Sequence, residues 1–162
     1  MMGTEADRDA LRIVPVTDAL RPALCALDVN EDQRQFVATN AQSLKDAASP
    51  GAWPRALTLG DEPVGFMMLF DPSIEGADDP DCPDDAVYLW RLMIDRSVQG
   101  RGFGVQAVEA AVAYARERGA RRLLVSCVPG PGTPQAFYER LGFEPTGRVI
   151  DGEVEMERVV DE

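Results

Sequence analysis

The sequence predicts a mixed α/β (α+β) single domain spanning residues 1–162, with about seven strands and about four helices. Three observations lead there. Strand-length runs of branched and aromatic residues recur along the chain. In the middle, the nearly continuous apolar run Val87 to Ile94 is followed by a glycine-rich turn and the alanine-rich segment Val105 to Arg118, the order strand, turn, helix. Near the end, Asp151-Gly152 separates two further strand-like runs and reads as a hairpin.

Taken in order, Leu11 to Val16 is a short branched run ending at Thr17-Asp18, which reads as a strand followed by a cap and a short helix to about Ala26. Asn30 and Gln33 have capping-box spacing, and Phe36, Val37, Asn40, Ala41, Leu44 and Ala47 repeat at helical intervals, predicting a second helix that stops before Ser49-Pro50-Gly51. Arg55 to Leu59 and Val64 to Phe70 form a hairpin around Gly60 to Pro63, with Gly65 marking a bulge or a close approach. Asp71 to Asp85 carries seven carboxylates and no basic residue, and reads as a long loop. Val87 to Ile94 is a central strand, interrupted by Arg91, which needs a carboxylate partner or an exposed edge. The helix after the glycines has an apolar stripe of Val105, Val108, Val112 and Ala115 and ends at Gly119. Leu123 to Val128 is a strand that a crossover makes parallel to the central one. A Pro-Gly turn, a short helix from Pro134 to Leu141 closed by Gly142, and the strands Phe143 to Ile150 and Glu153 to Val160 complete the chain.

Composition narrows the chemistry. The net charge of −12 disfavours nucleic acid, whose phosphates need clustered Lys and Arg, and favours cationic partners. No run approaches the roughly 18 apolar residues of a membrane span. Met1 to Asp9 is acidic and polar, unlike a signal peptide, so no membrane association and a cytoplasmic location are expected. Cys25, Cys82 and Cys127 lack metal-ligand or disulfide spacing and read as free thiols, with no metal implied. With no histidine, catalysis by Ser-His or Cys-His pairs is excluded.

Gln99-Gly100-Arg101-Gly102-Phe103-Gly104 is the focus of the chain. Glycines let the backbone approach an anion, and the free amides of the following helix point at it, so a nucleotide-like or pyrophosphate-bearing ligand is indicated. This segment resembles the acetyl-CoA pyrophosphate signature of the GNAT N-acetyltransferases. Ala136 to Phe143 (AFYERLGF) is similar to that family's short helix with its Tyr-x-x-x-Gly-Phe ending. Phe36-Val37-Ala38, Pro63 to Met68 and Trp90 to Asp95 extend the resemblance toward the spermine/spermidine acetyltransferase group.

The resemblance implies a GNAT fold with splayed parallel central strands, and an acetyl-CoA-dependent N-acetyltransferase. It implies direct transfer, in a ternary complex, to a primary amine of a small cationic acceptor such as a polyamine. An aminoglycoside, an amino acid or a peptide N-terminus is the alternative acceptor, and a non-catalytic CoA-binding domain the alternative class. Homodimers formed through edge strands also fall within the family's habits. The implied cofactor site comprises Gln99, Gly100, Arg101, Gly102, Phe103 and Gly104 for the pyrophosphate, and the backbone of Met93 and Ile94 for the pantetheine arm. Tyr138 is implied as the proton donor to the departing thiolate, since a phenol is protonated at neutral pH.

The chain also departs from the family pattern. Pro131 stands where many members have Asn, leaving the pantetheine to the loop backbone or the Thr133 hydroxyl. The central strand has Trp90 and Arg91 where many members carry a Glu base. Asp95 is a possible carboxylate for that role but equally reads as a strand-end turn residue; the turn reading is preferred, so a water chain to a distant carboxylate is expected. Cys127 reads as a small core residue and not an acyl carrier. For the acceptor's ammonium groups the candidates are the loop Asp71 to Asp85 and the last strand, where Glu153, Glu155 and Glu157 alternate with Val154 and Met156. Solvated surface is the alternative for each. Trp53 either lines the same pocket or is structural.

Overall fold

A computed structural model describes residues 10–160. The strands are β1 (Leu11–Pro15), β2 (Ala52–Leu59), β3 (Glu62–Phe70), β4 (Ala86–Ile94), β5 (Arg122–Cys127), β6 (Glu144–Ile150) and β7 (Glu153–Val159). The helices are α1 (Arg21–Ala26), α2 (Asn40–Asp46), α3 (Phe103–Glu117) and α4 (Gln135–Arg140), with 3-10 turns at Glu31–Phe36 and Arg96–Val98. One seven-stranded sheet runs β1-β2-β3-β4-β5-β7-β6. Every neighbouring pair is antiparallel except β4 and β5.

That parallel pair is short. The register couples Ala86 to Arg122 and ends at Leu89 with Val125, so β4 from Trp90 onward has no β5 partner and the expected splay is present. A bulge adds to it: Met68 pairs with Arg91 and Leu69 with Leu89, which leaves Trp90 as the extra residue on β4.

The sheet is buried on both faces, as its apolar runs demand. On one face α3 covers Leu57, Met67, Leu69, Val87, Leu89 and Val125; on the other, Phe66, Met68 and Met93 pack with Leu24 and Leu44 of α1 and α2. Leu57, Phe66, Met67, Met68 and Leu69 are fully buried, and burial of side chains this size contributes about 2 kcal/mol each.

Two helical expectations are corrected. The predicted second helix is divided: the Asn30 and Gln33 capping box opens the 3-10 turn Glu31–Phe36, the chain then extends through Val37, and Thr39 caps α2 by accepting from the Gln42 amide at 3.2 Å. β-Branched Val37 and Thr39 favour extended backbone, and the Thr cap starts a fresh helix. In α3 the buried stripe is Phe103, Ala107, Val108, Ala111, Val112 and Ala115, whereas Val105 is exposed at the first turn.

The acidic loop is anchored at its start. Asp71 is 1% exposed and accepts hydrogen bonds from the Ser73 amide (2.8 Å), the Ser73 hydroxyl (2.6 Å) and the Tyr114 hydroxyl (2.6 Å), with the Arg118 Nε 3.0 Å away. Burial opposes ionisation of this carboxyl, but the bonds from Ser73 and Tyr114 and the Arg118 charge outweigh it, and its pKa lies below the ordinary value. A depressed folded pKa means the stabilisation is complete above the unfolded value of about 4 and is lost as pH falls through the folded value. Asp71→Asn is therefore expected to cost about 2 kcal/mol at neutral pH, seen as a lower midpoint in urea. The gap from wild type should close below about pH 4; a gap that persists undiminished in acid would contradict this account.

Candidate active site

The end of β4 leads through Asp95 into the glycine turn, and local hydrogen bonds fix that path. Asp95 caps the 3-10 turn by accepting from the Ser97 amide and also accepts from the Asp28 amide at 2.9 Å. Its carboxylate is thereby engaged in turn formation, as the sequence suggested. The Gln99 side chain donates to the Ile94 carbonyl and to Gln33 Oε1, each at 2.9 Å, and accepts from Asn30 Nδ2 at 2.9 Å. It braces the turn against β4 and the 3-10 segment.

Gly100 and Gly102 have φ of +82° and +84°, conformations that favour glycine, and a Cβ on either would meet open space. Gly102 is the N-cap of the 15-residue α3, whose Gln106 amide is the first to find the Gly102 carbonyl. The amides of Phe103 to Val105 consequently point out of the helix end toward an anion. Both features fit a pyrophosphate.

A cavity of about 1450 Å³ begins at this turn and is lined by residues from both faces of the sheet beside the gap between β4 and β5. On the α3 face it is lined by Gln99, Gly100, Gly102, Phe103, Gly104, Thr133, Phe137 and Tyr138. On the other face lie Gln33, Phe36 and Val37, the loop residues Asp78, Asp79 and Asp81, and Tyr88, Trp90 and Arg91 of β4. Met93, Ile94, Ser126 and Cys127 line the passage, and Asp151 and Glu153 approach from the β6–β7 hairpin.

Tyr138 is 7% exposed, with its ring edge-on to Phe137 and Phe143 at centroid distances of 5.1 and 5.5 Å. Its hydroxyl has no hydrogen-bond partner among the described residues and is left to the cavity. Burial, aided by Cys127, pushes its pKa above that of an ordinary tyrosine, so it stays protonated at neutral pH. Cys127 is 3% exposed against the Met156 sulfur, and burial raises its thiol pKa too, keeping it un-ionised.

The other candidate residues are placed as follows. The Thr133 hydroxyl donates to the Gly130 carbonyl at 2.7 Å and accepts from the Gln135 amide, so it shapes the loop before α4 while the residue lines the cavity. Arg101 is exposed over the Phe103 ring and stands outside the cavity lining. Trp53 lies on the α3 face, stacked on Tyr114 at 4.2 Å and beneath the Arg55 guanidinium at 3.7 Å, away from the cavity. Glu155 is 1% exposed and is held by Tyr88, Thr146 and Arg148, while Glu157 pairs with Arg122 at 2.7 Å. Of the three glutamates on β7, Glu153 lines the cavity. Arg91 does have the partner its position required, Asp46 at 3.2 Å.

The glycine turn and the free helix amides thus lie on one side of the cavity and the acidic loop residues on the other. A model of the acetyltransferase (GNAT) family matches residues 17–143. The chain belongs to the GNAT acetyltransferase family. It is 28% identical over 144 residues to a spermine/spermidine N(1)-acetyltransferase of Bacillus subtilis, covering 86% of this chain and 91% of that protein. Among solved structures, the GNAT domain of PAT from S. lividans superposes with a TM-score of 0.70 at 22% identity, covering 92% of this chain and 89% of that one. An aminoglycoside acetyltransferase in complex with coenzyme A gives a TM-score of 0.71 at 18% identity, covering 93% and 95%.

As a GNAT N-acetyltransferase the protein takes its acetyl group from acetyl-CoA. When bound, acetyl-CoA supplies an activated acyl group whose leaving thiolate needs a proton. Among the described residues no helix is long and apolar enough to cross a membrane.

Proposed function

We propose that the protein acetylates a primary amine of a small polycation of the polyamine class, by direct transfer within this cavity. The turn Gln99 to Gly104 and the first amides of α3 hold the pyrophosphate, the unpaired backbone of β4 at Met93 and Ile94 meets the pantetheine arm, and Tyr138 protonates the thiolate.

The observation that carries the acceptor class is the charge of the cavity wall. Asp78, Asp79, Asp81, Asp151 and Glu153 line it, and Arg91 is the cationic lining residue, already paired with Asp46. Such a wall attracts several ammonium groups at once and repels anionic acceptors. The Bacillus relative, whose name specifies spermine and spermidine, supports the same class.

The test is thiol release from acetyl-CoA across spermidine, spermine, an aminoglycoside, free amino acids and a peptide with a free N-terminus. Spermidine or spermine is expected to be turned over best. Replacing Asp78, Asp79 and Asp81 together by Asn should raise KM for spermidine about tenfold, since partly exposed ion pairs contribute up to about 1 kcal/mol each. Added salt should shrink that difference. Turnover confined to amino acids or peptides, or a KM untouched by the triple replacement, would remove the polyamine assignment.

A further inference from the structure

An alkyl ammonium with a pKa of about 10 must lose a proton before it can attack a thioester. In this chain β4 reads Ala-Val-Tyr-Leu-Trp-Arg-Leu-Met-Ile and holds no carboxylate, and Asp95 beyond it is engaged as a cap. Asp78, Asp79 and Asp81 are exposed loop residues, suited to holding ammonium groups in their charged form. The buried carboxylate on the acceptor face is Glu155 of β7.

Strand order brings Glu155 to the cavity's edge. Tyr88 is paired with Leu124 of β5, Ser126 follows two residues along on the same face, and Ser126 is paired with Glu155. To reach Glu155 the Tyr88 ring leans toward the C-terminal end of β5, the end where β4 and β5 part. The Tyr88 hydroxyl donates to Glu155 Oε2 at 3.3 Å, and both Tyr88 and Ser126 line the cavity. Glu155 Oε1 accepts from the Thr146 hydroxyl at 2.9 Å, and Arg148 Nη1 of β6 lies 3.5 Å from Oε2. Further ionisable neighbours are Cys82, buried on the loop, Asp81, which shares Arg148 at 3.2 Å, and Glu157, across Leu124 from Tyr88 and paired with Arg122 at 2.7 Å.

We propose that Tyr88 and Glu155 form the proton relay of the acceptor site, with the Tyr88 oxygen taking the ammonium proton as its own hydroxyl proton passes to Glu155. In that step an N–H bond of the ammonium breaks and a new O–H bond forms at Tyr88. The Tyr88 O–H bond breaks, and Glu155 Oε2 gains the proton. The electron pair left on nitrogen forms the C–N bond to the acetyl carbon, the C–S bond breaks and the thiolate takes the Tyr138 proton; the acylated nitrogen then sheds its second proton, which restores the Tyr138 hydroxyl by way of solvent in the cavity. Because the phenol passes on one proton as it receives another, no phenolate forms, in keeping with a Tyr88 pKa that burial holds above the ordinary value. Glu155 acts through Tyr88 and is a positioning residue in contact with no substrate. After the acetylated product leaves, the proton returns to solvent through the same hydroxyl.

The proposal rests on amine acetylation in this cavity and not on the amine's being a polyamine. Its test is the pH profile of kcat/KM for spermidine in wild type, Tyr88→Phe and Glu155→Gln. Each variant is expected to lose about 10²-fold near pH 7, the scale of general base catalysis, with the deficit narrowing as pH approaches the pKa of the free amine, about 10. Acetyl-CoA affinity should be unchanged. A deficit that is constant with pH, or no deficit, overturns the relay. If Glu155→Gln fails to fold, Tyr88→Phe, which keeps the ring, carries the test alone. If another amine in the panel is turned over in place of spermidine, it replaces spermidine in the profile; the polyamine reading then falls while the relay is still decided. No turnover of any amine by wild type overturns both.

Discussion

Tyr138→Phe is expected to lower kcat about 10²-fold and leave acetyl-CoA affinity and thermal stability unchanged. The separation follows from how the side chain is divided. Its ring is packed edge-on between Phe137 and Phe143 and supplies the stabilising contacts, which phenylalanine reproduces. Its hydroxyl bonds to no described residue, so removing it orphans no protein group. What is lost is the proton donor for a thiolate that otherwise departs unassisted. Steady-state kinetics with a thiol reagent, alongside calorimetric titration of acetyl-CoA, checks this. An unchanged kcat under rate-limiting chemistry would remove the assigned role, and a parallel loss of affinity would make the residue structural. Burial raises the Tyr138 pKa, so its ionisation should add no descending limb to the wild-type profile below about pH 10.

Gly65→Val should damage both fold and donor binding. Gly65 sits in β3 opposite Ile94, where a Cβ would stand 2.6 Å from the Met93 carbonyl oxygen, 3.0 Å from Leu57 Cδ1 and 3.1 Å from Ile94 Cδ1. The two side chains can shift, but the carbonyl belongs to strand backbone and cannot yield without moving the end of β4. Overpacking of this kind costs about 3 kcal/mol, measurable as a lower urea midpoint. The same displacement moves the Met93–Ile94 peptide proposed to meet the pantetheine arm, so KM for acetyl-CoA should rise even where the variant remains folded. A variant with wild-type midpoint and KM would show that β4 tolerates the shift and would refute the close-contact argument.

Local signals were legible in the sequence, and relations between distant strands were not. The glycine turn, Tyr138 and the Asp151-Gly152 hairpin are each specified by neighbouring residues, and each stands where the sequence suggested. The sequence leaves Trp53 open between pocket and core because its face depends on strand parity: β2 turns Trp53, Arg55 and Leu57 toward α3 and Ala56 toward the opposite face. The partners of Glu155 are not legible in the sequence because β7 inserts between β5 and β6, an order that no local pattern encodes. Tyr88 carries no local signal for the same reason, since an aromatic in a buried strand gives no hint of a carboxylate two strands away. Asn30 and Gln33 did announce a helix start, but a second cap at Thr39 competed with helix continuation.

The seam between β4 and β5 has a mechanical consequence. Only the stretch from Ala86 to Leu89 is stitched to Arg122 to Val125, so the sheet is two antiparallel panels sharing a short hinge, spanned on one side by α3. Past the hinge, the facing strand edges resemble a zipper left half open. In the proposed binding mode a pantetheine arm laid there would supply the missing teeth, and donor binding and sheet completion would be one event. The panels bear the cradle and the acidic chamber on opposite sides of that closure, which makes the donor a structural member of the site that the amine meets.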